Sequence, residues 1–169
     1  MSFDQFEIRI DPAKYIPWTG GGGFQPVEIR INGIGLIELV RGVEEPFVEA
    51  EVQQRVASGE DINEIGFSPG RYFYLPPSLV IPPSRNLLNE PWDHGFVLAP
   101  EDKRFGKSTV LGCTCGVIEC WFIVVRIKLD INTVEWSDFS QFHRNWPYNL
   151  GPFTFRRAKY EEELAKYCT

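Results

Sequence analysis

With 169 residues, 43% of them hydrophobic, the chain is long enough to bury a sizeable core and too apolar to stay disordered, so one domain spanning 1–169 is expected. A net charge of −6 argues against nucleic acid or an anionic membrane as the main partner. Asp4, Glu7, Arg9 and Asp11 interrupt the place of a secretory apolar run, and no stretch approaches the ~20 apolar residues of a membrane span, so a cytoplasmic protein is expected.

Phe6, Ile8 and Ile10 alternate with Glu7, Arg9 and Asp11, the pattern of a one-sided strand that Pro12 ends. The run Gly20–Gly23 is followed by Phe24, Gln25 and Pro26 with no Lys-Ser/Thr pair, so it reads as a loop and not as a phosphate cradle. Val27 to Ile31 alternates as a second strand, turned by Asn32-Gly33. Gly33-Ile34-Gly35 lacks the third glycine of a dinucleotide fingerprint, whose place Glu38 holds. From Leu36 the period becomes helical. Leu36, Leu39, Val40 and Val43, then Val48, Val52 and Val56, predict two helices, Leu36–Val43 and Pro46–Ala57, broken at Pro46 and ended by Ser58-Gly59.

Residues 58–110 are punctuated by Gly and Pro. Arg71–Leu75 and Leu79–Ile81 read as short strands separated by the pairs Pro76-Pro77 and Pro82-Pro83. Ser84 is placed to cap one helical turn over Arg85–Leu88, Trp92–Gly95 reads as a turn, and Phe96–Leu98 as a short strand. Gly106-Lys107-Ser108 matches the tail of a Walker loop, but Glu101 stands where its first glycine belongs.

The strongest signal lies between Leu111 and Phe142. Trp121, Ile123, Val125, Ile127, Leu129 and Ile131 share one parity; Phe122, Val124, Arg126, Lys128 and Asp130 share the other. Successive side chains of a strand point to opposite faces, so one face is apolar throughout and the other becomes charged from Arg126. A turn at Asp130–Thr133 then returns the chain antiparallel through Val134 and Trp136. Phe153–Phe155 is expected to pair briefly with this sheet. A last helix over Arg156–Lys166 follows, with Tyr160, Leu164 and Tyr167 on one face and pairs Lys159–Glu163 and Glu162–Lys166. Arg156, Arg157 and Lys159 at its start oppose the helix dipole. The expected fold is α+β: a mainly antiparallel sheet centred on a long hairpin in the C-terminal half, with helices packed on one face.

Chemistry concentrates in the cysteines. In a reducing compartment the four are expected as free thiols or metal ligands rather than disulfides. Cys113 and Cys115, two apart on an extended chain, share a face; Gly116 lets the chain turn back towards Cys120, and His143 is a candidate fourth ligand of a tetrahedral zinc site. CxC is a poorer chelate than CxxC, and buried free cysteine is a common small hydrophobe, so structural thiols with no cofactor are the simpler reading. Cys115 with His143 or His94 is a second, nucleophile–base, possibility. The carboxylate runs Glu44-Glu45, Glu60-Asp61 and Glu161–Glu163 fall on predicted surface segments and read as solvated. No complete nucleophile elbow, Walker loop or HExxH helix is present, so no catalytic residue is assigned. The aromatic segment after the hairpin supplies a candidate interaction surface of Trp136, His143, Arg144, Trp146 and Tyr148, residue types enriched in binding hot spots.

Cys113-x-Cys115-Gly116-x-x-x-Cys120-Trp121, Val134-x-Trp136-x-x-Phe139, Gly151-Pro152-Phe153-x-Phe155 and Tyr160 together resemble a family of bacterial proteins of unknown function. The resemblance covers the C-terminal third and implies a bacterial cytosolic protein, with no activity attached. The chain departs from the family pattern at Arg156, where an acidic helix cap is expected. The resulting expectation is a non-enzymatic interaction or regulatory protein with a protein partner. The alternatives are a small zinc-binding protein and an enzyme whose residues converge only in three dimensions.

Overall fold

The computed structural model of the protein describes residues 2–18, 20–92 and 97–168. Along the chain run β1 (Phe6–Ile10), β2 (Ile16–Pro17), β3 (Gly23–Phe24), β4 (Val27–Ile31), β5 (Ile34–Gly35), α1 (Leu36–Ala57), β6 (Tyr72–Tyr74), β7 (Ser108–Cys113), β8 (Ile123–Leu129), β9 (Thr133–Gln141), β10 (Phe153–Arg156) and α2 (Arg157–Leu164). The fold is α+β, and its strand pairings are antiparallel. The order in the larger sheet is β10-β9-β8-β7-β6, with the predicted β8–β9 hairpin at its centre; a second sheet runs β1-β4-β5.

Backbone hydrogen bonds join the two sheets at both margins. Val27 donates to the Leu75 carbonyl just beyond β6 (2.9 Å), and Asp4 donates to the Thr154 carbonyl in β10 (2.8 Å). The sheets therefore enclose one hydrophobic cluster that takes in Ile8, Ile29, Leu111, Ile127, Trp136, Phe155 and Tyr160. Each such side chain contributes about 1.5–3 kcal/mol by leaving water. Helix α1 packs on β4, β5 and β6, and α2 on β1, β9 and β10. Deep in the core the Trp136 indole N–H donates to the Tyr160 hydroxyl (3.1 Å), which donates to the Leu87 carbonyl (2.6 Å). No described helix is long and apolar enough to cross a membrane.

Several expectations change. The two helices broken at Pro46 are one helix, α1, with Pro46 inside it. Proline costs a helix the bond to the carbonyl four residues back, here that of Gly42; both residues lie on the exposed side, so that carbonyl is open to solvent rather than shut in the core. Leu79–Ile81 is not a strand. Pro77–Leu79 forms a 3-10 turn, and Val80 and Ile81 both donate to the Pro77 carbonyl (3.1 and 2.8 Å). Buried Asn86 then clamps this segment to the sheet: its amide donates to the Leu79 and Thr109 carbonyls (3.1 and 2.9 Å), and its oxygen accepts from Trp92 N–H (3.1 Å). Asp93, His94, Gly95 and Phe96, and with them the expected turn and the start of the expected strand there, lie outside the described residues; Val97 and Leu98 are not in a strand.

Strand β7 was not visible as alternation because Ser108 to Gly112 is buried throughout. The β8 alternation stops at Leu129, and Ile131 sits 90% exposed in the turn. Glu44, read as solvated, is fully buried. Arg156 ends β10 rather than starting the helix. The cation at the helix start has a local purpose: the Arg157 guanidinium donates to the Asp130 carbonyl of the hairpin turn (2.9 Å) and pairs with Glu161 (3.0 Å). The expected i,i+4 pairs are replaced by Lys159–Glu162 (3.8 Å) and Lys166–Glu163 (2.6 Å), each at i,i+3.

Candidate metal centre

Strand β7 delivers Cys113 to the end of the sheet, and the chain turns at once. Gly116 donates to the Cys113 carbonyl (3.2 Å) at φ +89°, a left-handed conformation that glycine adopts without a Cβ clash. A 3-10 turn over Ile118–Cys120, closed by Cys120 N–H on the Val117 carbonyl (3.1 Å), brings the third cysteine round before Trp121 leads into β8. The Sγ atoms of Cys113, Cys115 and Cys120 all lie within 4.8 Å of one another, and none of the three forms a disulfide.

This spacing is close to that of a metal thiolate. Bonds of ~2.3 Å in a tetrahedron set sulfur atoms about 3.8 Å apart, so side-chain rotations drawing the sulfurs in by about 1 Å would close the site. Cys115 and Cys120 are exposed and Cys113 half-buried, which leaves those rotations open. The turn also offers its amides to sulfur: Cys115 N–H donates to Cys113 Sγ (3.4 Å) and Val117 N–H to Cys115 Sγ (3.5 Å). Such bonds favour the thiolate form. Burial pushes the Cys113 thiol up to about 11. For Cys115 burial also pushes upward, but the Val117 N–H and its hydrogen bonds with the other two thiols outweigh it and hold it below the ordinary thiol value.

All three cysteines open onto one cavity of about 220 Å³, whose walls include Phe67, Trp121 and Arg71. The two rings lie 5.9 Å apart, and the Arg144 guanidinium covers them at 4.9 Å from Trp121 and 5.3 Å from Phe67. Glu51 of α1 pairs with Arg144 at 3.0 Å, tying these walls to the helix. Arg71 Nε donates to the Thr114 hydroxyl (3.3 Å), and its Nη1 donates to the Gly66 carbonyl, which holds the guanidinium against the cysteine turn.

His143 does not join the sulfurs. Its ring stacks on Trp121 (centroids 6.2 Å apart, 9° between planes) and its Nε2 faces the Glu119 carbonyl at 3.1 Å, so stacking and a backbone contact fix it outside the cluster. A Cys115–His143 nucleophile–base pair has the same obstacle, and His94 lies outside the described residues.

The expected interaction surface divides. Trp136 is not on a surface at all: it is fully buried, because β9 turns that parity towards the core. The Tyr148 hydroxyl donates to the buried carboxylate of Glu44, and Arg144 and Trp146 pack with Trp121, Phe67 and Phe47. His143 alone of the five is exposed. Spacing missed Phe67 and Arg71, which reach the cysteines from over forty residues away in the chain and carry no local signature. Comparisons with protein-family models, curated proteins and solved structures give no match to this chain.

Proposed function

We propose that the protein binds a zinc ion through Cys113, Cys115 and Cys120. The observation that carries this reading is three sulfurs within 4.8 Å of one another on a single turn, all lining the same cavity. Sulfur donors suit a borderline-soft cation, and the amide-to-sulfur bonds offset the charge of the thiolates. Three exposed or half-exposed thiols fit a reducing cytoplasm. The test is metal content after purification in a reductant without chelator. About one zinc per chain is expected, falling at least tenfold in Cys115→Ser and Cys120→Ser; a wild-type protein without stoichiometric zinc contradicts the reading.

A second reading, an interaction or regulatory protein of the bacterial cytosol, has support in half-exposed Trp146 and exposed His143 beside the turn. On this reading the metal orders the surface a protein partner meets. Recovery of the same partner by zinc-loaded and chelated protein would separate the two roles.

A further inference from the structure

Three thiolates leave one corner of a zinc tetrahedron for a fourth donor. Among the described residues no other His, Cys, Asp or Glu brings a ligand atom into the sulfur cluster. The cavity of about 220 Å³ onto which the three sulfurs open is small, and two of its walls are the rings of Phe67 and Trp121. Arg71 supplies the cation in that lining, and its guanidinium is fixed by the Thr114 hydroxyl and the Gly66 carbonyl beside the cysteine turn.

These features select a ligand class. A site with an all-sulfur donor set favours a soft donor over a hard carboxylate. Zinc with three thiolates carries one net negative charge, and an anionic fourth ligand adds another; the Arg71 guanidinium stands where it offsets that addition. Apolar rings accommodate a hydrocarbon body, and the cavity volume limits that body to a small molecule.

We propose that the fourth position takes a small organic thiol, bound as its thiolate, with its hydrocarbon body against the cavity wall that Phe67 and Trp121 form and its charge facing Arg71. This rests on the zinc reading above. On binding, the S–H bond breaks and a zinc–sulfur bond forms; water leaves the metal, the proton passes to solvent, and no atom is oxidised or reduced. A zinc-held thiolate of this kind stays nucleophilic at neutral pH, because the metal lowers the thiol's proton affinity as it does that of water.

The test uses the full chain loaded with cobalt(II), whose sulfur charge-transfer and ligand-field bands report the donor set. Propanethiol is titrated against propionate, a carboxylate of similar size. The expected result is a saturable rise of the charge-transfer band with propanethiol, with one cobalt retained per chain and no such rise with propionate. Arg71→Gln is expected to weaken propanethiol binding roughly twofold to fivefold while leaving the thiol-free spectrum as in the parent, and Arg71→Lys to recover part of the loss. No spectral response to propanethiol, removal of cobalt by it, or an equal response to propionate overturns the proposal while leaving the metal site standing. A chain that takes up neither zinc nor cobalt overturns the metal reading itself.

Discussion

Glu44 joins three distant parts of the chain through one carboxylate. Its oxygens accept from the Gly70 N–H (3.0 Å) and from the hydroxyls of Tyr72 and Tyr148, residues 28 and 104 positions away. Gly70 can come this close only without a side chain: at φ +66° an added Cβ would stand 2.6 Å from that of Arg41. Burial holds the Glu44 carboxyl above the usual carboxylate range, outweighing the hydrogen bonds from Tyr148, Tyr72 and Gly70 that pull it down. The folded chain therefore keeps this proton more tightly than the unfolded chain. The contribution of Glu44 to stability is fully present below the ordinary carboxylate value and is lost as pH rises from there through the raised folded value. Glu44→Gln should flatten that part of the stability–pH curve in urea titrations; an unchanged slope contradicts it. Glu44→Ala should cost about 3 kcal/mol, since it strands three donors. The burial of Glu44 was missed in the sequence, because a helix broken before Pro46 leaves it outside; only the continuous α1 sets it on the buried i,i+4 series Leu36, Val40, Glu44, Val48. Its partners were missed as well, because nothing local points from a glutamate to a tyrosine 104 residues on.

Elements with one wet face could be read from the sequence, and elements enclosed on both sides could not. β1, β4, β8 and β9 alternate because one side of each meets solvent or partly exposed neighbours. β7 carries Ser, Thr and Gly among its apolar residues and is covered on both faces, so its residue pattern has no period. In α1 the proline signal was real but overridden by packing on the remaining face. Gly42 occupies the middle of that helix with open space where a Cβ would go, so Gly42→Ala should raise stability by about 0.5–1 kcal/mol in chemical denaturation. A loss of stability would show that the turn around Pro46 depends on glycine. In the proline-rich segment, the buried side chain of Asn86 makes three hydrogen bonds to backbone, and Asn86→Ala should cost about 3 kcal/mol and speed amide exchange over 77–92. Unchanged exchange there would mean the prolines hold the segment unaided.

Across the whole molecule the enclosed core and the cysteine turn are separable. The core gathers residues from Ile8 to Leu164, whereas the turn projects from one end of β7 and β8 with two of its three sulfurs exposed. The same-face relation of Cys113 and Cys115 and the return through Gly116 were legible in spacing; the place of His143 was not, since ring stacking on Trp121 leaves no mark on spacing. Metal should therefore add to stability without being needed for folding. At free zinc about 100-fold above the dissociation constant, binding adds about 2.7 kcal/mol, which raises Tm by about 5–10 °C in a chain of this size, and chelation should reverse the rise. Loss of the whole fold on chelation would contradict that division. X-ray absorption at the zinc edge reads the donor set itself. On protein purified without added thiol, three sulfur scatterers at about 2.3 Å with one lighter atom are expected, and a shell of nitrogen and oxygen alone would contradict a metal held by Cys113, Cys115 and Cys120.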